Sequence, residues 1–144
     1  MKFLVAQINP VVGDLEGNAK KILYIASKAF SISADFVLTP ELSLWGYPAN
    51  DLLLQKNLIK AQSQILDQLA LDINKKYGKL SITVGVAERI NDSFFPNLYN
   101  SIALLEAGKW TIIARKIILP TYEVFDEKRY FRSEEKVSLS LIHI

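Results

Sequence analysis

The sequence predicts an α/β fold in which helices lie on one side of a mixed sheet. Three observations predict it. Short apolar runs that end at proline or glycine are typical of buried strands. Two longer stretches repeat their apolar residues with the period of an amphipathic helix. The later part of the chain alternates apolar and small residues, as strands do. In chain order these segments give β-α-β-α-β-β-β.

The first part of the chain contains two predicted strands around one helix. Residues 2–8 are an apolar run that ends before Pro10, and residues 36–39 are a second run that ends at Pro40. Asn18 is the candidate N-cap of the helix, because its side chain can accept a hydrogen bond from a free N–H of the first turn. The helix presents one apolar stripe, which consists of Ile22, Ile25, Ala26, Ala29 and Phe30.

The second part begins with a long helix and continues with three strands. The helix is predicted over about residues 58–77, and Gly78 ends it. Its buried face is predicted to consist of Gln62, Ile65, Leu66, Leu69, Ala70, Ile73 and Tyr77. The strands are predicted over residues 82–86, 98–105 and 110–115, with a hairpin turn at residues 107–109.

The last thirteen residues (132–144) begin with a polar run and continue from residue 137 with alternating apolar and polar side chains, like the beginning of another strand. A chain that ends there would leave an unpaired sheet edge, which natural domains usually cover. We therefore expect residues 1–144 to be a partial domain, truncated at its C-terminus. The alternative is an ordinary C-terminal edge strand.

Composition excludes several classes of function. Half of the 144 residues are hydrophobic and 22% are charged, which is typical of a globular protein. The net charge of +2 is scattered and too small to indicate a nucleic-acid or anionic membrane partner. The chain has no cysteine, which excludes disulfides, zinc–thiolate sites and a thiol nucleophile within these residues. The short N-terminal apolar run does not form a signal peptide or a membrane span, so we expect a cytoplasmic protein.

Two charged side chains follow predicted strands and are candidate site residues. Glu41 comes directly after an apolar strand and a proline, where open α/β sheets bind ligands. Apolar neighbours predict a buried carboxylate, which would suit a general base. Lys116 ends the last predicted strand and could stabilise a developing oxyanion. The alternatives are a glutamate at a helix start and a solvated lysine beside Arg115.

The segment 120–131 is dense in hydrogen-bonding side chains, which favours a ligand-binding loop over a plain connection. A solvated charged loop is the alternative. His143 is the only histidine, and we expect it to be incidental. The sequence contains neither of the glycine-rich phosphate-binding motifs G-x-G-x-x-G and G-x-x-x-x-G-K-[ST]. No metal site is predicted.

Several motifs resemble the carbon–nitrogen hydrolase (nitrilase) superfamily. The segments that carry the resemblance are residues 6–14, 39–42, 46–48, 115–116 and 119–120. Residues 46–54 and 124–131 are more specific, because they resemble the glutaminase domain of the glutamine-dependent NAD synthetase family. The resemblance runs from residue 1 to about residue 137.

The resemblance implies the first half of an α-β-β-α sandwich and a Glu-Lys-Cys triad. It assigns Glu41 as the general base and Lys116 as the residue that stabilises the oxyanion. Glu127 matches a second acidic residue seen in many members, and Tyr122 lies in the loop that contacts glutamine. This sequence departs from the common pattern at Thr121 and Glu123, which affects the expected substrate contacts rather than the triad.

The cysteine nucleophile of the family would follow beyond Phe131, and this chain has none. The resemblance implies glutamine as the substrate and a separate synthetase domain that uses ATP and Mg²⁺ to amidate deamido-NAD. It also implies a homo-oligomer in the full-length family. We expect no cofactor in this chain and no glutaminase activity from it alone. The alternative is a non-catalytic module, or a piece of another amidase of the superfamily, that acts through a partner chain.

Overall fold

The chain forms a five-stranded mixed sheet with two helices. The computed structural model describes residues 1–91, 94–123 and 125–135. The predicted order of helices and strands is confirmed, and with it the α/β class. The elements are β1 (Phe3–Val5), α1 (Leu15–Ser31), β2 (Phe36–Leu38), α2 (Lys56–Tyr77), β3 (Ser81–Arg89), β4 (Leu98–Glu106) and β5 (Lys109–Arg115), with 3₁₀ turns at Asn50–Leu54 and Glu127–Arg129.

The strands lie in chain order across the sheet, which changes from parallel to antiparallel at β3. Strands β1, β2 and β3 run parallel because a helix carries the chain back between them. Strands β3, β4 and β5 are antiparallel. The β4–β5 connection is the predicted hairpin. Ala107 and Gly108 have φ angles of 50° and 77°, the positive values that a two-residue turn between twisted strands requires.

The N-cap of α1 is Asp14, so the prediction of Asn18 was wrong. Asp14 Oδ1 accepts the Gly17 N–H at 2.9 Å. Asn18 is fully buried within α1. Its Oδ1 accepts the Val11 N–H at 2.8 Å, and its Nδ2 donates to the carbonyls of Val11 and Leu44 at 2.8 and 3.0 Å. A buried amide is stable only when it is bonded in this way, and here it joins two loops.

The apolar stripe of α1 is buried at Ile22, Ala26 and Ala29. Phe30 was predicted to belong to the same face, but it is 56% exposed. Its ring centroid lies 5.5 Å from that of Tyr77 at the end of α2. Phe30 therefore packs against the end of the neighbouring helix rather than in the core.

The predicted face of α2 is buried except at Ile65 and Tyr77, which are half-buried. Gly78 ends the helix with a φ of 60°. The buried polar residue of that face is Gln62. Its Oε1 accepts from Trp45 Nε1 at 2.5 Å and from the Ala87 N–H at 3.0 Å, and its Nε2 donates to the Ala87 carbonyl at 2.8 Å. Gln62 therefore pairs with β3 as a neighbouring strand would.

The helices cover one face of the sheet and leave the other partly open. Val37, Ile82 and Val84 belong to the core that includes the helices, and each is 0% exposed. On the opposite face Val5 pairs in register with Leu38, and these residues are 69% and 39% exposed. The candidate site lies on this open face.

The chain beyond β5 returns along the ends of the antiparallel strands. The Arg132 N–H donates to the Leu98 carbonyl at 2.7 Å, and the Glu134 N–H donates to the Lys116 carbonyl at 3.2 Å. The predicted strand after residue 136 and His143 lie outside the described residues.

Candidate active site

The loop that carries Glu41 lies directly against β3 at Gly85. The loop turns through Leu42, whose φ of 46° is in the left-handed region that few non-glycine residues adopt. A Cβ on Gly85 would lie 2.2 Å from the backbone nitrogen of Leu42, so a larger residue would displace the loop. The Leu44 N–H also donates to the Gly85 carbonyl at 3.1 Å. Glycine at position 85 therefore permits this approach.

Glu41 meets two donors with one of its carboxylate oxygens. Its Oε1 accepts from Lys116 Nζ at 2.7 Å and from Asn100 Nδ2 at 2.5 Å. The expectation that Glu41 is buried was wrong, since its side chain is 45% exposed. The apolar neighbours in the sequence belong to the core beneath the loop, whereas the Glu41 side chain extends from the loop into the pocket. Among the described residues, no hydrogen bond engages the other carboxylate oxygen, Oε2.

Lys116 joins two carboxylates. Its Nζ lies 2.7 Å from Glu41 Oε1 and 2.9 Å from Glu127 Oε1, and 28% of its side chain is exposed. Burial lowers the pKa of Lys116, but the hydrogen bonds and charges of Glu41 and Glu127 outweigh it, so the pKa is raised. The side chain is therefore a fixed cation at neutral pH, which suits the stabilisation of negative charge rather than nucleophilic attack.

Glu127 is the buried member of this group. Only 5% of its side chain is exposed. Its Oε1 accepts from both Lys116 Nζ and the Tyr47 hydroxyl, at 2.9 and 2.7 Å. Its Oε2 is buried without a hydrogen-bond partner among the described residues. Burial, and then the Glu127 carboxylate, raise the pKa of Tyr47 far above its ordinary value, so the phenol acts as a neutral donor.

Glu41, Lys116 and Glu127 form a charged group. This charged group borders a pocket of about 320 Å³ on the open face of the sheet. This is within the size range of small-molecule sites. The pocket is lined by residues from the loop after β2 and from the three antiparallel strands, namely Thr39, Pro40, Glu41, Gly85, Asn100, Ser101, Ile102, Ala114, Arg115 and Lys116. Glu41 and Lys116 thus face a space that a small substrate could enter.

Arg115 lies beside Lys116, but its nitrogens are already engaged. It binds Glu88 through Nε and Nη2 at 2.7 and 2.6 Å, and Glu134 through Nη1 at 2.9 Å. The hydrogen bond to Glu88, and then the one to Glu134, raise the pKa of Arg115. Its guanidinium also lies 4.7 Å from the ring centroid of Tyr99. Arg115 therefore fixes the returning segment at Glu134 to the sheet.

Tyr122 is not part of the charged group. Its side chain is 64% exposed. Its ring packs edge-on against Phe125, with 5.5 Å between the centroids, and Phe125 in turn lies 6.1 Å from the ring of Tyr47. The structure therefore brings Glu41, Lys116 and Glu127 together and leaves Tyr122 at the periphery.

Sequence reasoning missed Asn100 and Tyr47 as members of the site. Asn100 is only 4% exposed, and an asparagine within a predicted strand is an unusual choice that could have indicated it. Tyr47 is part of the motif at residues 46–48, but nothing local indicates that it pairs with Glu127, which is 80 residues away.

Within the described residues, no helix is long and apolar enough to span a membrane. The same residues contain no group of three or more histidine, aspartate or glutamate side chains arranged to hold a metal ion. The chemistry available at the pocket is that of one ammonium group between two carboxylates.

Comparison with known proteins identifies relatives of the chain. The sequence profile described as carbon–nitrogen hydrolase matches residues 5–143. A glutamine-dependent NAD(+) synthetase from Synechocystis is 39% identical over 132 residues, and one from Aquifex aeolicus is 38% identical over 136 residues. These matches cover 92% and 94% of this chain but only 24% and 23% of the two relatives. The chain therefore spans about a quarter of their length.

Solved structures give the same relationship. The glutamine-dependent NAD⁺ synthetase from Acinetobacter baumannii, in complex with ADP, superposes with a TM-score of 0.80 at 34% identity. That match covers 93% of this chain and 24% of the solved chain. An amidase from Nesterenkonia sp. has a TM-score of 0.74 at 21% identity, and the match covers 94% of this chain and 49% of the amidase. The amidase shares the fold, and the predicted nitrilase-type fold is confirmed.

Proposed function

The chain belongs to the carbon–nitrogen hydrolase family, and from that membership we propose that it forms part of the glutamine amidohydrolase domain of a glutamine-dependent NAD synthetase. Residues 1–144 are, in this proposal, a partial domain that supplies the base and the oxyanion-stabilising cation. The observation that carries the proposal is the contact of Lys116 Nζ with both Glu41 and Glu127 beside the pocket. Two relatives that are 39% and 38% identical to it over the aligned residues are named as glutamine-dependent NAD(+) synthetases.

In the proposed mechanism Glu41 is the general base and Oε2 is its reactive oxygen. Lys116 and Asn100 both donate to Oε1, which leaves Oε2 able to accept the proton of a thiol. The thiolate attacks the side-chain amide carbon of glutamine, and the C–N bond breaks as Glu41 returns the proton to the leaving ammonia. Water then attacks the thioester and releases glutamate and the thiol.

Lys116 stabilises the negative charge that forms on the carbonyl oxygen, first when the thiolate attacks the amide and again when water attacks the thioester. Fixed cations that face a developing oxyanion often make the largest single contribution to rate. Glu127 holds the ammonium from the opposite side and keeps it protonated. Tyr122 is assigned to the substrate by the resemblance alone, and its exposed position makes it a peripheral contact in this proposal.

The nucleophile is proposed to come from outside these residues, because the sequence contains no cysteine. It would be supplied by a further segment of the same polypeptide or by a partner chain. The ammonia would pass to a synthetase domain that amidates deamido-NAD with ATP and Mg²⁺. The cytoplasmic location and homo-oligomeric assembly of such a protein stay predictions.

The first experiment is to translate the coding sequence beyond Ile144 in all three frames, where we expect a Cys-Glu-Asp segment and an ATP-using domain. Glutamine-dependent ammonia release is then measured for the 144-residue chain and for a polypeptide that supplies the cysteine. We expect activity only from the second. Glu41→Gln and Lys116→Met should each lower its rate by about 10²–10⁴-fold.

The matched controls are Glu16→Gln and Lys20→Met, exposed residues of α1, which should leave the rate unchanged within about twofold. Activity in the complete polypeptide that does not depend on Glu41 or Lys116 would contradict the proposal. Ammonia release by the 144-residue chain alone would contradict the proposed origin of the nucleophile.

A further inference from the structure

Two hydroxyl side chains flank Glu41 symmetrically in the sequence and bond to each other across the turn. Thr39 precedes Glu41 by two positions and Ser43 follows it by two positions. Their oxygens, Thr39 Oγ1 and Ser43 Oγ, lie 2.7 Å apart. Ser43 is 0% exposed, so its hydroxyl cannot satisfy its hydrogen bonds with bulk water.

The direction of this hydrogen bond follows from the other partners. Thr39 Oγ1 donates to the Thr83 carbonyl at 2.8 Å, and a hydroxyl has only one hydrogen to donate. Thr39 must therefore accept from Ser43. The Gly85 N–H in turn donates to Ser43 Oγ at 2.9 Å. The result is a directed chain from the Gly85 N–H through Ser43 and Thr39 to the Thr83 carbonyl.

Both ends of this chain are backbone groups of β3. The strand therefore holds the loop on either side of Glu41, at the place where Gly85 allows the backbones to touch. Hydrogen bonds that run in one direction strengthen one another. The Glu41 side chain extends from this fixed base, and Lys116 and Asn100 hold its tip.

We propose that Thr39 and Ser43 are positioning residues for Glu41, which fix the loop so that the carboxylate reaches Lys116. In this proposal they act on the reaction through Glu41. That this arrangement serves catalysis rests on the proposed function. Whether Thr39 and Ser43 position Glu41 can be tested separately. If the two hydroxyls had only a structural role, their removal would change the stability of the fold and not the position of Glu41.

The test uses the pKa of Lys116, because Glu41 helps to raise it and a purely structural change would not alter it. The Cε resonance of Lys116 is titrated by NMR in the 144-residue chain and in Thr39→Val, Ser43→Ala and Glu41→Gln. Urea unfolding of each variant is measured alongside. We expect Thr39→Val and Ser43→Ala to lower the pKa of Lys116 by about half or more of the change that Glu41→Gln produces.

Two further variants make the test specific. Thr39→Ser keeps the hydroxyl and should restore the behaviour of the unsubstituted chain. Thr83→Val is the matched control, because the Thr83 hydroxyl is also buried and donates to the Val37 carbonyl at 3.3 Å, outside the directed chain. It should destabilise the fold without changing the pKa of Lys116. If Thr39→Val does not fold, Ser43→Ala and Thr39→Ser still test the proposal.

An unchanged Lys116 pKa in folded Ser43→Ala or Thr39→Val would overturn the proposal, as would an equal change in Thr83→Val. The rate of glutamine hydrolysis in a polypeptide that supplies the cysteine gives an independent measurement. There Thr39→Val and Ser43→Ala should lower kcat by about 10- to 100-fold, with little change in KM. If the pKa values change as expected but no glutamine is hydrolysed by any form, the proposed function fails and the positioning role stands.

Discussion

Tyr47 donates its phenol hydrogen to Glu127 Oε1 at 2.7 Å, across 80 residues of sequence. The same oxygen accepts from Lys116 Nζ at 2.9 Å. The loop after β2 is thereby bonded to the loop after β5 through a carboxylate that is almost fully buried. A buried carboxylate is stable only when donors and opposite charges compensate its loss of solvent, so Tyr47 supports the charge on which Lys116 depends.

Replacement of Tyr47 by phenylalanine should destabilise the fold. Tyr47→Phe keeps the ring and removes one of the two donors to Glu127 Oε1. Loss of a hydrogen bond to a buried charged group costs about 1.5–3 kcal/mol. We expect a decrease of that size in the free energy of unfolding, measured by urea denaturation at neutral pH.

Tyr122→Phe is the matched control for Tyr47→Phe. It removes the same hydroxyl from a side chain that is 64% exposed in the adjoining loop, and it should change the free energy of unfolding by less than about 0.5 kcal/mol. Equal effects of the two substitutions would show that the Tyr47–Glu127 hydrogen bond contributes nothing measurable to stability.

The order of helices and strands could be predicted from the sequence because each element carries its own period. The apolar stripes of α1 and α2 and the alternation in β3 identify these elements without any tertiary information. The assignment of Asn18 failed for a tertiary reason. An asparagine at a helix start is a good cap in isolation, but here the amide joins two loops that the sequence does not show to be adjacent.

The candidate site was only partly predictable. Glu41 and Lys116 could be singled out because each follows a strand and because the motifs around them resemble a known family. The exposure of Glu41 could not be predicted, since the apolar residues next to it in the sequence face the core while its own side chain faces the pocket. Asn100 and Tyr47 reach the site through strand register and loop packing, which no local pattern encodes.

The pKa of Lys116 should decrease when one of its carboxylate partners is neutralised, and decrease further when both are neutralised. Glu41→Gln and Glu127→Gln each remove one charge, and each should lower the pKa from its raised value. In the double variant, burial remains as the main influence, and burial disfavours the ammonium. We therefore expect the pKa of Lys116 in the double variant to lie below the ordinary lysine value of 10.5, as measured by NMR titration.

Glu123→Gln is a matched control for these variants, because Glu123 is an exposed carboxylate of the loop that also carries Glu127. It should leave the pKa of Lys116 near its value in the unsubstituted chain. A double variant whose Lys116 pKa stays raised would show that the two carboxylates are not the cause of the increase.

Stability should decrease in alkali through the same side chains. The pKa values of Tyr47 and Lys116 are raised from ordinary values of 10.0 and 10.5, so in this range the folded state binds more protons than the unfolded state. Their contribution is complete below these ordinary values and is lost as the pH rises through the folded pKa values. Urea unfolding from about pH 9 upwards should show this decrease.

The comparison for the alkaline decrease is a chain that carries both Tyr47→Phe and Lys116→Met. This chain starts from a lower stability at neutral pH and should lose less of it as the pH rises, because neither replacement titrates. A decrease with the same slope in both chains would assign the alkaline loss to other groups.

Replacement of Gly85 by alanine should disturb both the fold and the position of Glu41. The added Cβ would lie 2.2 Å from Leu42 N and 2.7 Å from the Pro40 carbonyl oxygen, and neither backbone atom can move without the loop. We expect a loss of about 1–3 kcal/mol in the free energy of unfolding, the cost of overpacking, and a lower pKa of Lys116 as Glu41 moves away.

Gly78→Ala is the comparison for Gly85→Ala, since a Cβ there meets no atom within 4 Å and only the backbone conformation, with its φ of 60°, is unfavourable. It should destabilise the fold by about 1–3 kcal/mol, the cost of an unfavourable backbone conformation, and leave the pKa of Lys116 unchanged. If Gly85→Ala behaves in the same way as Gly78→Ala, the contact between the loop and β3 does not position Glu41.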